Sequence, residues 1–254
     1  MIKLRWHGTA AIELECDRGR ILFDPFVPLK GSDVNVKLED YEGFTDIIIT
    51  HGHFDHIASL PEIYKRNPSV RIHCTDAPYK ALLKKGISEE NLIKITYGKE
   101  FSINGFKIMP YHGKHAILPK ATFSRLFKIL TDKNAGNVPG ILKELTVCKE
   151  SDETVLYRLE AEGKTVTLMG SMNLRDDAEY PTDSDALVLP YNGWEDNYPP
   201  AVRVIEALRP KKVYLDHYDD TFPPITPALD LSPILNRYGD RVEALSYENT
   251  VLIG

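Results

Sequence analysis

Long apolar runs are missing from this chain of 254 residues. No stretch approaches the roughly 18 consecutive apolar residues that a membrane-spanning helix needs. The opening Met1-Ile-Lys-Leu-Arg-Trp-His7 carries charge with no apolar segment behind it, so no secretory leader is expected either. Cysteine is scarce: Cys16, Cys74 and Cys148 lie far apart, and no CxxC or Cys/His finger spacing is present. That excludes a zinc-finger or disulfide-stapled scaffold and leads us to expect reduced, mostly buried thiols in the cytoplasm. A basic surplus is also lacking, with 31 Lys and Arg against 37 Asp and Glu and a net charge of −6. Neither nucleic acid nor an anionic membrane is then the default partner, and a small-molecule substrate is expected instead. Internal repeats, low-complexity segments and linker-like shifts in composition are absent, so one domain over residues 1–254 is expected.

What is present is ordinary for a globular protein, 43 % hydrophobic and 27 % charged residues. Alternation marks strands at Ala10 to Glu15 and Arg20 to Phe23, the second halted by Asp24-Pro25 because proline cannot donate to a ladder. The β-branched run 44–50 reads as a strand buried on both faces. Helices are expected at Leu60 to Arg66, Ala77 to Lys85 and Ala201 to Leu208, and a hairpin turns at Asn104-Gly105 within Phe101 to Tyr111. Further strands are expected at Val70 to Cys74, Thr154 to Glu160, Lys164 to Met169, Ala186 to Leu189, Lys212 to Leu215, Arg241 to Leu245 and Thr250 to Ile253. Phe123, Leu126, Phe127 and Leu130 have helical spacing, with a Gly/Asn/Pro loop at 134–140. A helix packed on the surface is one reading of this stretch. A lid insertion at about 119–150 over an apolar substrate pocket is the other.

Five of the eight histidines fall just after expected strands: His51, His53 and His56, then His112, then His217. Imidazole is a common metal ligand, and Asp55 adds an oxygen donor in the same loop. Residues at i and i+2 on an extended end point to one side, so His51 and His53 can pinch one ion. Asp55 and His56 follow a change of direction and can face a second. Water on such an ion becomes a hydroxide near neutral pH, the nucleophile that hydrolysis needs, and Asp55 is the candidate catalytic group to hold that water or shuttle its proton. Zinc is the first expectation for the metal, with manganese or iron as alternatives.

The motifs Ile21-Leu-Phe-Asp24-Pro25, Thr50-His-Gly-His-Phe-Asp-His56, Pro110-Tyr-His112 and Pro210 through His217 to Pro223 resemble those of the metallo-β-lactamase superfamily. More narrowly they resemble its branch of broad-specificity metal-dependent hydrolases that includes L-ascorbate-6-phosphate lactonase. The resemblance implies an α/β fold, a four-layer αββα sandwich with metals at one edge. It implies one site of His51, His53 and His112 and a second of Asp55, His56 and His217, with Asp24 supporting the His loop from behind. His112 is preferred to His115 because it directly ends the apparent strand and matches the family position. Relatives often carry Gly-His where this chain has Gly8-Thr9, so no role is carried to Thr9.

The pattern breaks after Met169, where the family usually places a bridging aspartate and this chain has Ser171. A neutral hydroxyl is a poor substitute for a carboxylate, so the second site should be the weaker, unless Asn173, Asp176 or Asp177 folds back. Tyr218 is a candidate to bind a substrate oxyanion and Asn192 and Trp194, with Tyr191, to line the pocket; the alternatives are a packing aromatic and a surface loop. The expected activity is metal-dependent hydrolysis of a small lactone, ester or phosphate ester. A phosphodiesterase on a lipid-like substrate and a metal-binding relative with lost or altered catalysis remain alternatives. A redox di-iron centre fits less well, since iron relatives commonly carry a carboxylate where this chain has His53.

Overall fold

The structure, a computed structural model, describes residues 1–116, 123–192, 196–219, 221–225, 229–247 and 249–254. Two seven-stranded mixed sheets form its centre. In the first, β1 (Ile2–Trp6), β2 (Ile12–Cys16) and β3 (Gly19–Phe23) form an antiparallel meander, and β14 (Thr250–Ile253) adds to β1. The same sheet continues in parallel through β4 (Asp46–Ile48), β5 (Arg71–Cys74) and β6 (Leu92–Lys94). In the second, β7 (Phe101–Ile103), β8 (Phe106–His112), β9 (Val155–Ala161) and β10 (Lys164–Met169) run antiparallel. It continues in parallel through β11 (Ala186–Pro190), β12 (Lys212–Asp216) and β13 (Val242–Ala244).

The side-chain pattern explains the layering. On β1, Ile2, Leu4 and Trp6 are buried while Lys3 and Arg5 are exposed, so one face points inward. These residues meet Phe106, Val166 and Val188 of the second sheet in a core between the sheets. The central parallel strands are buried on both faces, as β4 and β11 show. Their outer faces are covered by helices. Leu22, Ile47 and Ile72 pack against Leu60 and Ile63 of α2 (Leu60–Arg66) and Leu82 of α3 (Asp76–Lys84). Leu187 and Leu189 pack against Val204 and Ile205 of α6 (Tyr198–Leu208) and Ile234 of α7 (Ser232–Tyr238). The result is the expected αββα sandwich.

Several short elements were not legible in the sequence, β1, β6 and α7 among them. β1 opens the chain ahead of the first expected strand, and β6 and α7 each bury a single side chain outright, Leu92 and Ile234. The expected loop at 134–140 is also shorter than its composition suggests. α5 (Val138–Leu145) begins inside it, with Pro139 in the first turn, where its missing N–H costs no hydrogen bond. Cys16, Cys74 and Cys148 are unpaired and buried, and burial pushes the thiols of Cys74 and Cys148 up to about 12. Among the described residues, no helix is long and apolar enough to cross a membrane.

An ion-paired carboxylate ties the parallel strands at the end of the first sheet opposite the histidine loop. Asp46 is fully buried and receives Arg71 Nε at 2.8 Å, Arg71 Nη2 at 2.7 Å and His73 Nε2 at 2.8 Å. Burial opposes its charge, yet His73 and Arg71 hold the carboxyl far below the usual range. Asp46→Ala is expected to cost about 3 kcal/mol in urea denaturation at pH 7, since it leaves His73 and Arg71 without their partner. Because the folded pKa is depressed, this stabilisation is present above the ordinary value of 3.8 and lost below it. The difference between wild type and variant should therefore shrink as the pH falls below that value.

Candidate metal centre

All the site's side chains come from one edge, where the carboxyl ends of β3, β4, β8, β10, β11 and β12 open. This is where ligands bind in α/β sheets. Asp24 follows β3 with a φ of +44°, a left-handed conformation uncommon outside glycine. Its Oδ1 accepts the Thr50 N–H at 2.8 Å and its Oδ2 the Thr50 hydroxyl at 2.6 Å. Oδ2 also lies 2.8 Å from His56 Nδ1. A carboxylate only accepts, so His56 carries its proton on Nδ1 and turns Nε2 toward the site.

The histidine loop runs from Thr50 into α1 (Phe54–Ile57), with His53 as the residue before the helix. Thr50 Oγ1 lies 3.0 Å from His51 Nδ1, which orients Nε2 of that ring toward His53 Nδ1 at 3.2 Å. Gly52 is required by close approach: a Cβ there would lie 2.2 Å from the Lys149 carbonyl oxygen. Thr50 was not among the candidates, although its place directly before the first histidine of the loop was the available signal.

The third member of this group is His115. Its ring stands 5.1 Å from that of His51 and 4.5 Å from that of His53, and the three offer ligand atoms within 4.8 Å of one another. The preference for His112 is corrected here. Strand β8 does end at His112, but that ring stacks on Tyr97 and its Nε2 lies 2.7 Å from the Asp152 carbonyl oxygen. The chain then makes one more backbone bond, Gly113 N–H to Thr154 O, before turning His115 into the site.

Asp55, His56 and His217 form the second group, also within 4.8 Å and all buried. Asp55 Oδ2 lies 3.2 Å from His217 Nε2 and 3.6 Å from His56 Nε2. His217 follows β12 with a φ of +58° and is met by Asn192, whose Nδ2 lies 3.1 Å from His217 Nδ1. The rings of His51 and His56, 3.9 Å apart, join the two groups.

Electrostatics suit a cation. Burial, followed by the charges of neighbouring histidines, holds His51 well below the ordinary histidine value. Burial also lowers His115, and it brings His53 down to about 4. Burial opposes the charge of Asp55, but His56 and His217 keep it ionised. Burial likewise opposes the charge of His56, which Asp24 and Asp55 raise above the ordinary value. Three neutral imidazoles on one side, and a carboxylate with two imidazoles on the other, are the donor set of a divalent metal such as zinc.

Ser171 reaches the same cavity, but its Oγ accepts the Ala116 N–H at 2.9 Å and so holds the His115 loop. Neither Asp176 nor Asp177 folds back to Ser171. Asn173 Nδ2 donates to the His115 carbonyl, Asp176 pairs with Arg203 and Asp177 with Arg175. Tyr218 is also corrected: its hydroxyl donates to the Leu245 carbonyl and its ring packs on Trp6, so it does not line the cavity. Asn192 does line it, and Trp194 lies outside the described residues. Thr9 is structural, its N–H donating to Asp219 Oδ2 at 2.9 Å. The remaining histidines, His7 and His73, pair with Glu13 and Asp46.

Comparison with known proteins identifies the family and the fold. The family model for the beta-lactamase superfamily domain matches residues 19–218. A UPF0173 metal-dependent hydrolase from Thermococcus onnurineus is 30 % identical, with 96 % of each chain covered. One from Sulfolobus acidocaldarius is 32 % identical over 49 % of this chain, and this chain spans about half that relative's length, 52 %. Among solved structures, the metallo hydrolase Igni18 from Ignicoccus hospitalis has a TM-score of 0.61 at 22 % identity, with 98 % of this chain and 97 % of that one covered.

Three substitutions separate the roles assigned above, with zinc affinity read by competition with a chromophoric chelator. His115→Ala is expected to lose at least about tenfold, and Asp24→Ala about 10- to 100-fold by releasing Thr50 and His56. His112→Ala should stay within about twofold; a loss at His112 matching that at His115 would restore the sequence-based choice.

Proposed function

Because the chain belongs to the metallo-β-lactamase superfamily, we propose that it is a metal-dependent hydrolase of a lactone, ester or phosphate ester. The observation that carries this reading is the pair of facing triads, His51/His53/His115 and Asp55/His56/His217, at the floor of a cavity. Within the superfamily we place the chain with the broad-specificity hydrolases that include L-ascorbate-6-phosphate lactonase, on the strength of the His51–His56 loop, Asp24-Pro25 and His217. Zinc is the first candidate, with manganese or iron as alternatives. When bound, the ion supplies positive charge that polarises the electrophile and activates water.

The protein's own groups do the rest. Asp55, held ionised between His56 and His217, takes a proton from the attacking water. The water oxygen bonds to the carbonyl carbon or phosphorus, the bond to the leaving oxygen breaks, and the proton passes from Asp55 to that oxygen. Asn192, beside His217, offers an amide to orient the substrate. α4 (Phe123–Thr131) and α5 cover the cavity as a lid insertion and limit water at its apolar end.

Ser171 favours a second reading, in which catalysis is altered or lost while metal binding is kept. The His51/His53/His115 group is complete, whereas the Asp55 group lacks a bridging carboxylate. A lipid-like phosphodiester is a further alternative, favoured by the apolar wall.

Wild-type protein dialysed after zinc loading should retain one full equivalent and a fraction of a second. Ser171→Asp should raise the second, and two full equivalents in wild type would overturn the asymmetry. A panel of lactones, esters and phosphodiesters run with zinc, manganese and iron tests the hydrolase reading. Asp55→Asn should lower kcat on any active substrate by roughly 10²- to 10⁴-fold. Silence of the whole panel with metal bound would favour the non-catalytic reading.

A further inference from the structure

The cavity above the triads has two chemically different ends. Its volume is about 370 Å³, within the range of small-molecule sites. The floor holds the histidines, Asp55, Ser171 and Asn192. The wall is Leu126 and Ile129 of α4, Ile141 and Leu142 of α5, and Phe222 and Ile225 from the loop after β12. Among the described residues that line the cavity, none is Lys or Arg. An anionic group lying against these described residues, away from the metal-binding floor, would meet no counter-charge from them to offset its desolvation.

The wall is also short of cover. Leu126 is 47 % exposed and Leu142 58 %, both bordering the cavity. Apolar side chains gathered around a cavity mouth form a surface that a bound apolar group can cover. Ile141 and Phe54 also line a second, largely apolar groove with Phe26, Val27 and Leu29, so they separate the cavity from further apolar space.

We infer that the site takes an uncharged ester or lactone bearing an apolar chain, with the chain lying against α4 and α5 and its length limited by Ile141. This rests on the hydrolase reading for the reactive end alone. The ester C–O bond is cleaved by water at the floor, giving an acid and an alcohol (one hydroxy acid from a lactone). The chain takes no part in the chemistry and supplies binding.

Two measurements on the zinc-loaded full chain test this. In the first, the uncharged dye N-phenyl-1-naphthylamine is displaced by n-alkanols from butanol to decanol, below their aggregation limits. Burial of each added methylene should tighten binding about threefold to fourfold until the cavity is filled. Ile129→Lys, at a half-buried position, should flatten that dependence, and Ile141→Ala should move the favoured length upward. Circular dichroism would check that each variant folds. In the second, kcat/KM is measured for p-nitrophenyl esters from acetate to decanoate and for γ-lactones of matching length, beside a sugar phosphate. It should rise with chain length, and the sugar phosphate should be the poorest.

Chain-length-dependent alkanol binding without any turnover would sink the hydrolase reading and leave the apolar-chain assignment standing. Turnover independent of chain length, with no alkanol binding, would overturn the assignment and leave the hydrolase reading. Preference for the phosphorylated compound would overturn the assignment as well.

Discussion

Asp24 is the constraint on which the reactive edge depends. A single buried carboxylate, in a backbone conformation unusual for its residue type, fixes both ends of the histidine loop. Through Thr50 it sets the His51 ring, and so the direction in which His51 meets His53. Through His56 Nδ1 it sets the ring that faces Asp55. One ring in each donor group, His51 and His56, is thus oriented through the same two oxygens. Asp24, Thr50 and His56 are all buried, so the loss of one leaves the others with unpaired polar atoms away from solvent.

Much of this was legible in the sequence because it is local. The run before His51 is β-branched and continuous, and it became a parallel strand buried on both faces. Asn104-Gly105 turned the hairpin it was expected to turn, with Asn104 at positive φ. The signals failed where elements are short or paired far along the chain. β1 pairs with β14 from the other end of the protein, and β6 and α7 offer too few buried positions to show a period.

The histidine choice failed for a related reason. Strand periodicity correctly ended β8 at His112, but a donor need not be the last residue of a strand. Which loop side chain turns inward was decided by contacts formed elsewhere: Gly113 with Thr154, Ala116 with Ser171, and Asn173 with the His115 carbonyl. None leaves a pattern in the neighbouring sequence. Ser171 stands where the resemblance to the family implies an aspartate. Its bond to the Ala116 N–H shows that the position has been given other work, holding the segment that delivers His115.

That segment leaves β8 and returns to β9 at adjacent points, since His112 pairs directly with Val155. Lengthening an excursion whose ends are already pinned costs little, about 0.6 kcal/mol for each doubling. A descendant lineage could lengthen, shorten or rewrite the stretch carrying α4 and α5 without shifting the register of either sheet. Its first few residues, as far as His115 and Ala116, and Lys149 near its end, whose carbonyl lies against Gly52, are tied to the donor cluster. The sandwich thus divides into a reactive edge held under tight mutational constraint and a wall free to diverge, an arrangement by which one chemistry can be re-aimed at new molecules.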